Sequence, residues 1–458
     1  MRIQELGGRK VALWGFGREG RATLRWLHKR LPELPLTVLN DNPLPANTET
    51  VENKNVRFLT GADAIKAIAS YDIIIKSPGI SSYRPEISDA QSQGVRFTSA
   101  TQLWFDEHPQ VKTVCVTGTK GKSTTSGLIA AMLRKSGVNA ILGGNIGVPL
   151  LSLTDLPEPP EIMVIELSSY QTSDLHASPS VGLLLNLFPE HLDWHGNTAN
   201  YFRDKIRLFN NMPDKSVIIN HTDPHTQQFR HRWPDARCFN HPDGFHIAAP
   251  GRIVHICRGS QRLFDINHVR LPGRHNLSNI CAALTVLEIL GIDAAEAVET
   301  AAAFGGLPHR LQIIGEKNRV LYVDDSISTA PEATIAAVQS FQGRKITLLA
   351  GGFDRGLPLE QLAAFLVNQS GPGHNLWAVV TMPESGVRLA DAIRKILACQ
   401  PDNAFQLHEA SDLEQAVSIA HEITPPQGVI LLSPAAPSYG AFKNFEQRGK
   451  AFAAFVHQ

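Results

Sequence analysis

A short stretch of the chain, residues 117–124, carries the residue types that hold a nucleoside triphosphate. Glycines let backbone N–H groups turn toward phosphate oxygens, Lys122 can reach the β- and γ-phosphates, and the Ser123 hydroxyl can bind Mg²⁺. Two residues separate Gly118 from Gly121, whereas the common phosphate loop has four there. A plain glycine-rich turn is the alternative interpretation. The residues predicted to bind ATP in this loop are Gly118, Thr119, Lys120, Gly121, Lys122, Ser123 and Thr124.

Further candidates for chemistry follow the next predicted strands. Glu166 ends an apolar run, and a carboxylate at a strand end beside a phosphate loop can hold Mg²⁺, which prefers oxygen ligands. His191 and His195 invite a zinc interpretation, but the order Glu-His-x-x-x-His is not that of a metalloprotease and no third ligand is evident. We therefore expect His191 to work beside Glu166 at a Mg²⁺ site and His195 to be structural. Lys205, on a helix predicted over residues 198–212, has the pattern of a solvated lysine whose stem packs on the core.

A second glycine motif lies near the N-terminus, where residues 15–20 read Gly-Phe-Gly-Arg-Glu-Gly between a predicted strand and a predicted helix. This G-x-G-x-x-G pattern is typical of sheets that place a diphosphate on a helix N-terminus, and Asp41 lies where NAD-binding folds carry a ribose-binding acid. A tight turn at residues 77–79 follows another strand at the end where ligands usually lie. A diphosphate site is therefore predicted, whereas nicotinamide has no separate support. The residues predicted to bind here are Gly15, Gly17, Arg18, Ser77, Pro78 and Gly79.

These residues need a framework of strands and helices to bring them together. Short β-rich apolar runs alternate with helical patterns along nearly the whole chain, which predicts an α/β fold with mostly parallel sheets. The strand–glycine–helix pattern restarts near residues 111 and 320. We predict a Rossmann-like N-terminal domain, a central P-loop ATPase domain and a Rossmann-like C-terminal domain, over residues 1–107, 108–306 and 307–458. The polar stretch at residues 222–267 is predicted to be an antiparallel excursion inside the second domain.

Composition limits the classes of partner. The 458 residues include 43 Lys+Arg and 43 Asp+Glu, so the formal net charge is zero. That balance argues against nucleic acid or an anionic membrane surface as the main partner. The N-terminus has no apolar core of signal-peptide type and no run of 18 apolar residues occurs, so we expect a cytoplasmic protein that spans no membrane. The scattered cysteines, without a Cys-x-x-Cys pair, are typical of free thiols in a reducing compartment.

Taken end to end, the sequence resembles the Mur ligase family, the cytoplasmic ATP-dependent enzymes that build the peptidoglycan stem peptide. Segments similar to the family's shared signatures are the phosphate loop, Gly-Gly-Asn-Ile-Gly at 143–147, Glu-Leu-Ser-Ser at 166–169 and His-Leu-Asp at 191–193. Segments that resemble the branch adding glutamate to UDP-N-acetylmuramoyl-alanine are Gly-Leu-Pro-His-Arg at 306–310, Leu-Ser-Pro-Ala at 432–435 and Phe-Lys-Asn-Phe-Glu-Gln-Arg-Gly at 442–449. The resemblance implies that the short phosphate loop is the family's own form and that the first domain binds a UDP group.

The resemblance also implies a mechanism and roles. ATP would phosphorylate the terminal carboxylate of the muramoyl-alanine substrate, the glutamate amine would attack the acyl phosphate, and phosphate would leave. The implied catalytic residues are Lys122, Glu166, His191 and Lys205. The implied Mg²⁺ ligands are Ser123, Glu166, His191 and Lys205, the last after carbamylation by CO₂. Further ATP contacts are Asn276, Arg310 and Asp325. Asn145 and Gln171 would contact muramoyl-alanine, and the glutamate contacts would be Thr329, Arg355, Ser438 and the backbone of Phe445.

The sequence departs from the glutamate-adding enzymes near the incoming amino acid. Those enzymes have Asp-Ser-Lys-Ala-Thr-Asn where residues 325–330 read Asp-Ser-Ile-Ser-Thr-Ala, so Ile327 stands at the cationic position. A lysine expected to bind the α-carboxylate is replaced by Arg355, whose planar fork differs from the point charge of lysine. Because the surroundings of the α-carbon distinguish enantiomers, we hypothesise that L-glutamate is added, with D-glutamate as the alternative.

Three other functions stay open on the sequence alone. An NAD-dependent oxidoreductase built on residues 15–20 would leave Lys122 and Glu166 without roles. A non-catalytic nucleotide-binding regulator is disfavoured because those two residues occur together with His191 and Lys205. A folate- or cyanophycin-type amino-acid ligase is disfavoured by residues 442–449. The expected partners are ATP with Mg²⁺, UDP-N-acetylmuramoyl-L-alanine and glutamate, and we expect a monomer.

Overall fold

The computed structural model describes residues 1–43, 55–146, 148–249, 254–271, 274–341, 343–371, 373–400 and 405–457. The chain forms two compact units, Met1–Phe304 and Gly305–Gln458. Gly147, the last residue of the Gly-Gly-Asn-Ile-Gly signature, lies outside the described residues.

The first sheet of the larger unit has parallel strands in the order β3-β2-β1-β4-β5. Its strands are β1 (Val11–Trp14), β2 (Leu36–Asn40), β3 (Val56–Thr60), β4 (Ile73–Lys76) and β5 (Arg96–Thr98). The helices among them are α1 (Arg18–Arg30), α2 (Gly61–Ala67), α3 (Pro85–Ser92) and α4 (Ala100–Glu107). All residues of β1 and β4 are buried, as expected of strands covered on both faces. Strand order reverses between β1 and β4, so the glycine motif and Ser77 follow the two strands that form the switch point.

The second sheet of this unit is parallel in the order β11-β10-β9-β6-β8-β7. Its strands are β6 (Lys112–Thr117), β7 (Ala140–Gly144), β8 (Ile162–Glu166), β9 (Val181–Leu184), β10 (Val217–Asn220) and β11 (Arg237–Phe239). Helices in this region are α5 (Lys122–Lys135), α6 (Ser169–Thr172), α7 (Leu192–His195), α8 (Thr198–Ile206), α9 (Pro224–Gln227), α10 (Arg274–Ile289) and α11 (Ala294–Ala303). Because β6 pairs with both β8 and β9, the loops after these strands meet at one edge of the sheet.

A small antiparallel sheet follows β11 along the chain and precedes α10. It consists of β12 (Phe245–Ala248), β13 (His255–Arg258) and β14 (Gln261–Asp265). The antiparallel excursion predicted within residues 222–267 is therefore confirmed for its second half.

The smaller unit has a mixed sheet in the order β15-β16-β20-β17-β18-β19, in which β15 is antiparallel to β16 and the other pairs are parallel. Its strands are β15 (Gln312–Lys317), β16 (Val320–Asp324), β17 (Ile346–Gly352), β18 (Leu376–Glu384), β19 (Gln406–Glu409) and β20 (Val429–Leu432). Its helices are α12 (Pro331–Gln339), α13 (Glu360–Asn368), α14 (Ser385–Leu397), α15 (Leu413–Ile423) and α16 (Phe445–His457). The apolar strands pack against these helices in two clusters of buried side chains.

The predicted α/β fold with mostly parallel sheets is confirmed, but several element ends differ from prediction. The apolar run at residues 181–188 forms a strand only as far as Leu184, because the chain then turns to hold the phosphate loop. The helix that follows the phosphate loop begins within the loop motif, at Lys122, directly after the left-handed Gly121. The helix predicted to reach residue 212 ends at Ile206.

The chain passes from the larger to the smaller unit at Gly305. The three domain ranges 1–107, 108–306 and 307–458 stay predictions. Across the described residues, no helix combines the length and the apolar character that crossing a lipid bilayer requires.

Candidate active site

The phosphate loop between β6 and α5 is a tight turn that requires its glycines. Gly118 and Gly121 have φ angles of 150° and 85°, which residues with a side chain rarely adopt. A Cβ atom on Gly118 would lie 2.9 Å from Cβ of Leu185, and one on Gly121 would lie 2.7 Å from Oδ1 of Asn279. The compressed spacing of the loop therefore leaves no room for larger residues.

The loop is fixed from the side of β9 and α8. The backbone N–H of Thr119 donates to the Asn186 carbonyl at 3.0 Å, and the Thr119 hydroxyl lies 2.9 Å from the hydroxyl of buried Tyr201. The backbone N–H of Lys120 donates to Oδ1 of Asn186 at 2.9 Å, and its side chain pairs with Glu190. The sequence between β9 and α7 thus shapes the loop, which explains why β9 ends early.

Two lysines converge on this loop. Nζ of Lys122 donates to the carbonyls of Gly118 and Thr119, at 3.0 and 2.9 Å. Nζ of Lys205 donates to the same Gly118 carbonyl at 2.7 Å, and its side chain is only 2% exposed. Burial, reinforced by the charge of Lys122, lowers the pKa of Lys205 well below its ordinary value. The solvated position that helical spacing alone predicts for Lys205 is therefore wrong, because α8 turns this residue inward beside the Tyr201 ring.

Glu166 lies at the end of β8 with a buried carboxylate. Its Oε1 accepts a hydrogen bond from Nδ2 of Asn145 at 2.7 Å, whereas its buried Oε2 has no hydrogen-bond partner among the described residues. A buried carboxylate oxygen without a partner is costly unless a cation or a water molecule compensates it. The residues present therefore fit Mg²⁺, which takes one or two carboxylates together with phosphate oxygens and water. In the described part of the chain, three or more His, Cys, Asp or Glu side chains nowhere gather as a metal-binding group of their own.

The two histidines of this region have different surroundings. His191 is half-exposed in a left-handed backbone conformation (φ 56°), with Nε2 3.7 Å from Oε2 of Glu190. Burial is the main cause that lowers the pKa of His191, Lys205 and Lys122 add to it, and Glu190 opposes it. His195 is fully buried, with Nδ1 2.6 Å from Oδ2 of Asp204 and Nε2 3.0 Å from the Ser169 hydroxyl. Both its ring nitrogens are engaged, which is the arrangement of a structural histidine.

The N-terminal glycine motif makes the sharp turn that its pattern predicts. Gly15 has a φ of 97°, and its carbonyl accepts a hydrogen bond from the Ser77 hydroxyl at 3.0 Å. A Cβ on Gly20 would lie 2.1 Å from the Gly15 carbonyl oxygen, so α1 packs directly on the turn. The Gly79 carbonyl accepts a hydrogen bond from Nε1 of Trp194 at 3.2 Å, which ties the turn at residues 77–79 to α7.

This close packing gives a test of the turn. We expect Gly20→Ala to lower the free energy of unfolding by about 2 kcal/mol, because the added methyl group forces α1 away from β1. Gly79→Ala is the matched control, since nothing lies within 4 Å of its added Cβ. Urea denaturation of both variants measures the difference, and equal stability of the two would contradict the geometry.

Residues predicted to bind the nucleotide substrate and those predicted to bind its acyl end come together. Nη2 of Arg18 donates to the Asn145 carbonyl at 3.1 Å, and Asn145 in turn holds Glu166. Nε2 of Gln171 donates to Oε1 of Glu19 at 2.7 Å. The α1 end of the first sheet therefore touches the loops that follow β7 and β8. Glu19 was not among the predicted site residues, because it occupies a variable position of the G-x-G-x-x-G pattern.

Asn276, the remaining candidate of the larger unit, lies in α10. Its Oδ1 accepts a hydrogen bond from Nδ2 of Asn279 at 3.0 Å, and both side chains are buried. Asn279 also lies beside the phosphate loop at Gly121, so the start of α10 adjoins this loop.

In the smaller unit, Asp325 follows β16 and is buried. Burial raises the pKa of Asp325 to about 6, against hydrogen bonds from Ser328 and Ser433 and from the Leu311 backbone N–H. Nε of Arg310 is buried without a hydrogen-bond partner in the described residues.

The predicted glutamate contacts also lie in the smaller unit. Nη2 of Arg355 donates to the Thr329 carbonyl at 2.7 Å, so these two residues meet. Phe445 begins α16, and its carbonyl accepts a hydrogen bond from the Ser326 hydroxyl at 2.9 Å. Ser438 is buried in the loop before that helix.

Arg448 organises this loop and was not among the predicted residues. Its buried guanidinium donates to the carbonyls of Ser326, Ala436 and Pro437 at 2.9, 2.9 and 3.1 Å. Burial lowers the pKa of Arg448 to about 10, with the nearby Asp324 acting against this. Only the segment Phe-Glu-Gln-Arg-Gly at residues 445–449 hinted at its importance.

Comparison with known proteins covers nearly the whole chain. Residues 9–99 match the Mur ligase MurD-like N-terminal domain, residues 116–287 the Mur ligase middle domain, and residues 309–436 the Mur ligase glutamate ligase domain. A protein from Xanthomonas campestris pv. campestris (strain 8004), named UDP-N-acetylmuramoyl-L-alanine–L-glutamate ligase, is 44% identical over 99% of this chain and 96% of its own length. A protein of the same name from Micromonospora sp. is 38% identical over 100% of this chain and 98% of its own length.

Solved structures share the fold at low sequence identity. UDP-N-acetylmuramate–alanine ligase from Thermotoga maritima superposes with a TM-score of 0.56 at 17% identity, covering 98% of this chain and 99% of that one. MurF ligase from the same organism, whose structure was determined in complex with ADP, superposes with a TM-score of 0.54 at 18% identity. The match covers 98% of this chain and 95% of that one. These structures have the three-domain architecture that the sequence predicts. The family models and the relatives above, at 44% and 38% identity, show that this chain belongs to the Mur ligase family.

Proposed function

We propose that this protein ligates glutamate to UDP-N-acetylmuramoyl-L-alanine at the expense of ATP, in the synthesis of peptidoglycan precursors. The observation that carries the proposal is the contact path from the N-terminal glycine motif through Arg18 and Asn145 to Glu166. This path joins the glycine motif, where we expect the diphosphate of the substrate, to the edge of the second sheet that carries the phosphate loop. An enzyme that binds a nucleotide substrate at one end and activates its other end needs such a connection. The names of the relatives support the same reaction.

The reaction runs through an acyl phosphate. A carboxylate oxygen of the alanine moiety attacks the γ-phosphorus of ATP and ADP leaves. The glutamate amine then adds to the acyl carbon, and the tetrahedral intermediate collapses with loss of phosphate. When bound, Mg²⁺ neutralises charge on the phosphoryl oxygens. The contribution of the protein is positioning and charge stabilisation rather than covalent catalysis.

The residues of the phosphate loop divide this work. The Lys122 ammonium moves from the loop carbonyls to the transferring phosphoryl group, and the Ser123 hydroxyl and Glu166 hold Mg²⁺. His191 holds a second Mg²⁺ as a neutral imidazole, in keeping with its lowered pKa. Lys205, whose pKa is lowered by burial, adds through its unprotonated amine to the carbon of CO₂ and loses a proton, which gives an anionic carbamate ligand. Asn145 and Gln171 orient the muramoyl-alanine group.

Three further residues are proposed to contact ATP, namely Asn276, Arg310 and Asp325. In support, Asn276 belongs to the start of α10, which adjoins the phosphate loop. The buried Nε of Arg310 has no hydrogen-bond partner among the described residues, as expected of a group that binds an anionic ligand.

Glutamate binds in the smaller unit, and we infer that the L enantiomer is preferred. The Ser438 hydroxyl and the backbone N–H of Phe445, at the start of α16, hold its side-chain carboxylate, since helix N-termini favour anions. In support of a role for Arg355, this residue lines one small cavity together with Ala436 and Pro437, which directly precede Ser438 in the chain. Ile327 supplies no charge where D-glutamate ligases have a lysine, so the α-carboxylate relies on Arg355. The relatives, named as L-glutamate ligases, support this preference.

Separate assays with the two enantiomers test the proposal. We expect ATP-dependent phosphate release with UDP-N-acetylmuramoyl-L-alanine and L-glutamate, and at least about tenfold lower kcat/KM with D-glutamate, since a mispositioned α-carboxylate loses its pairing with Arg355. Reactions without the nucleotide or without an amino acid are the controls. Turnover with D-glutamate alone would contradict the stereochemical part and leave the ligase assignment intact.

A further inference from the structure

Glu19 lies in the first turn of α1 and within the glycine motif that we assign to the diphosphate of the substrate. Its Oε1 accepts a hydrogen bond from Nε2 of Gln171 at 2.7 Å, across 152 residues of sequence. An acidic side chain in a helix's first turn is favourable for the helix dipole but unfavourable beside a bound anion. A role for Glu19 must therefore be compatible with its place at the helix N-terminus and with a diphosphate bound beside it.

Gln171 is held so that its amide nitrogen points at Glu19. Its Oε1 accepts hydrogen bonds from the backbone N–H and the hydroxyl of Ser168, at 3.0 and 3.1 Å. These donors fix which end of the amide carries the oxygen, so Nε2 is directed toward the carboxylate of Glu19. Glu19 thus connects the diphosphate turn to a residue of the muramoyl-alanine site.

The charge of an ionised Glu19 has little compensation. Its buried Oε2 accepts no hydrogen bond from the described residues, and Oδ1 of neighbouring Asp174 is in the same state. Nζ of Lys76 lies 3.1 Å from the other oxygen of Asp174, and Arg18 donates to the carbonyl of Asn145. The two cations near Glu19 are thus already engaged by other groups.

Desolvation makes this carboxyl easy to protonate. Burial raises the pKa of Glu19 from 4.5 to about 7, and Asp174 adds to this effect. The hydrogen bond from Gln171 and the charges of Arg18 and Lys76 act in the opposite direction. A diphosphate bound on the glycine motif brings further negative charge and raises the pKa again.

We propose that Glu19 is a proton-linked positioning residue, which holds the Gln171 amide and takes up a proton when the nucleotide's diphosphate binds on the glycine motif. The inference rests on the proposed function, because it assumes a diphosphate-bearing substrate at this turn. In the protonated state, Oε1 still accepts from Gln171 while the second oxygen carries the proton and no charge opposes the diphosphate. Affinity for the nucleotide therefore falls as pH rises through the pKa of free Glu19.

Calorimetric titration of the full chain with UDP-N-acetylmuramoyl-L-alanine, without ATP, tests this linkage. We expect the dissociation constant of the wild-type protein to increase about tenfold between about pH 6 and about pH 8. Binding near pH 7 should take up about half a proton, measured in buffers of different ionisation enthalpy. Glu19→Gln keeps an acceptor for Gln171 without a charge, so its affinity should be independent of pH. Glu33→Gln, a change of an exposed carboxylate just after α1, should keep the wild-type profile.

Steady-state kinetics separate this role from a purely structural one. The KM for the nucleotide should rise with pH in the wild type and stay level in Glu19→Gln. At each pH, the two proteins should have the same kcat. A pH-independent wild-type affinity, or a Glu19→Gln profile that follows the wild type, would overturn the inference. Failure of the wild type to bind the nucleotide at any pH would overturn the proposed function as well.

Discussion

Replacing Lys122 by alanine is expected to lower kcat by about 100- to 1000-fold, the usual cost of removing one preorganised charge from a transition state. The Lys122 ammonium lies within the loop, 3.0 Å from the Gly118 carbonyl, at the N-terminus of α5. A γ-phosphoryl group in transfer carries its charge on oxygens at this position, and the remaining backbone N–H groups cannot neutralise it alone.

Lys135→Ala is the matched control for this prediction, because Lys135 is exposed at the opposite end of α5. Its kcat should equal that of the wild type. Stopped assays of ADP formation at saturating substrates measure both variants. A Lys122→Ala variant that keeps more than about a tenth of wild-type kcat would show that the loop backbone suffices, and the assignment of this lysine would be wrong.

Replacing Lys205 by alanine should lower kcat by a similar factor, but for a different reason. Burial lowers the pKa of its amine well below the ordinary value, which favours the unprotonated form that CO₂ carbamylates over the ammonium, which could not react. Without the carbamate, the metal site loses an anionic oxygen ligand next to the Gly118 carbonyl. Added formate or acetate should restore part of the activity, since either anion can enter the space that the side chain leaves.

Lys215→Ala, which changes an exposed lysine after α8, serves as the control. Its kcat should equal that of the wild type and should not change when formate or acetate is added. Turnover measured across a series of small anions distinguishes chemical rescue from a general salt effect. Unchanged activity of Lys205→Ala would reduce this lysine to a packing role, and lost activity that no carboxylate restores would contradict the carbamate.

The sequence was informative wherever a local pattern determines a local structure. The phosphate loop and the N-terminal glycine motif were predicted from a few residues each, because only glycine tolerates the φ angles of Gly118 and Gly15 and the contact behind Gly20. Alternation of apolar runs with helical patterns predicted the parallel sheets for a similar reason, since buried strands need continuous apolar residues.

Contacts between distant segments were beyond sequence patterns. Lys205 sits among Phe202 and Ile206 at helical spacing, a pattern that also fits an exposed stem, and only the Gly118 carbonyl and the Tyr201 ring reveal the buried side. Glu19 and Gln171 lie 152 residues apart, so no local rule could pair them. Strand β9 ends before its apolar run does, because the backbone of the following residues hydrogen-bonds to the phosphate loop rather than to a neighbouring strand.

Oxygen transfer tests the central claim most directly, namely that ATP bound at the Lys122 loop phosphorylates the carboxylate of the muramoyl-alanine substrate. The substrate is labelled with ¹⁸O in its terminal carboxylate, and phosphate released during ligation of glutamate is analysed by mass spectrometry. An acyl phosphate requires that each phosphate formed carry a single oxygen from that carboxylate. Unlabelled phosphate during active ligation, or no ATP consumption with either enantiomer of glutamate, would contradict the account.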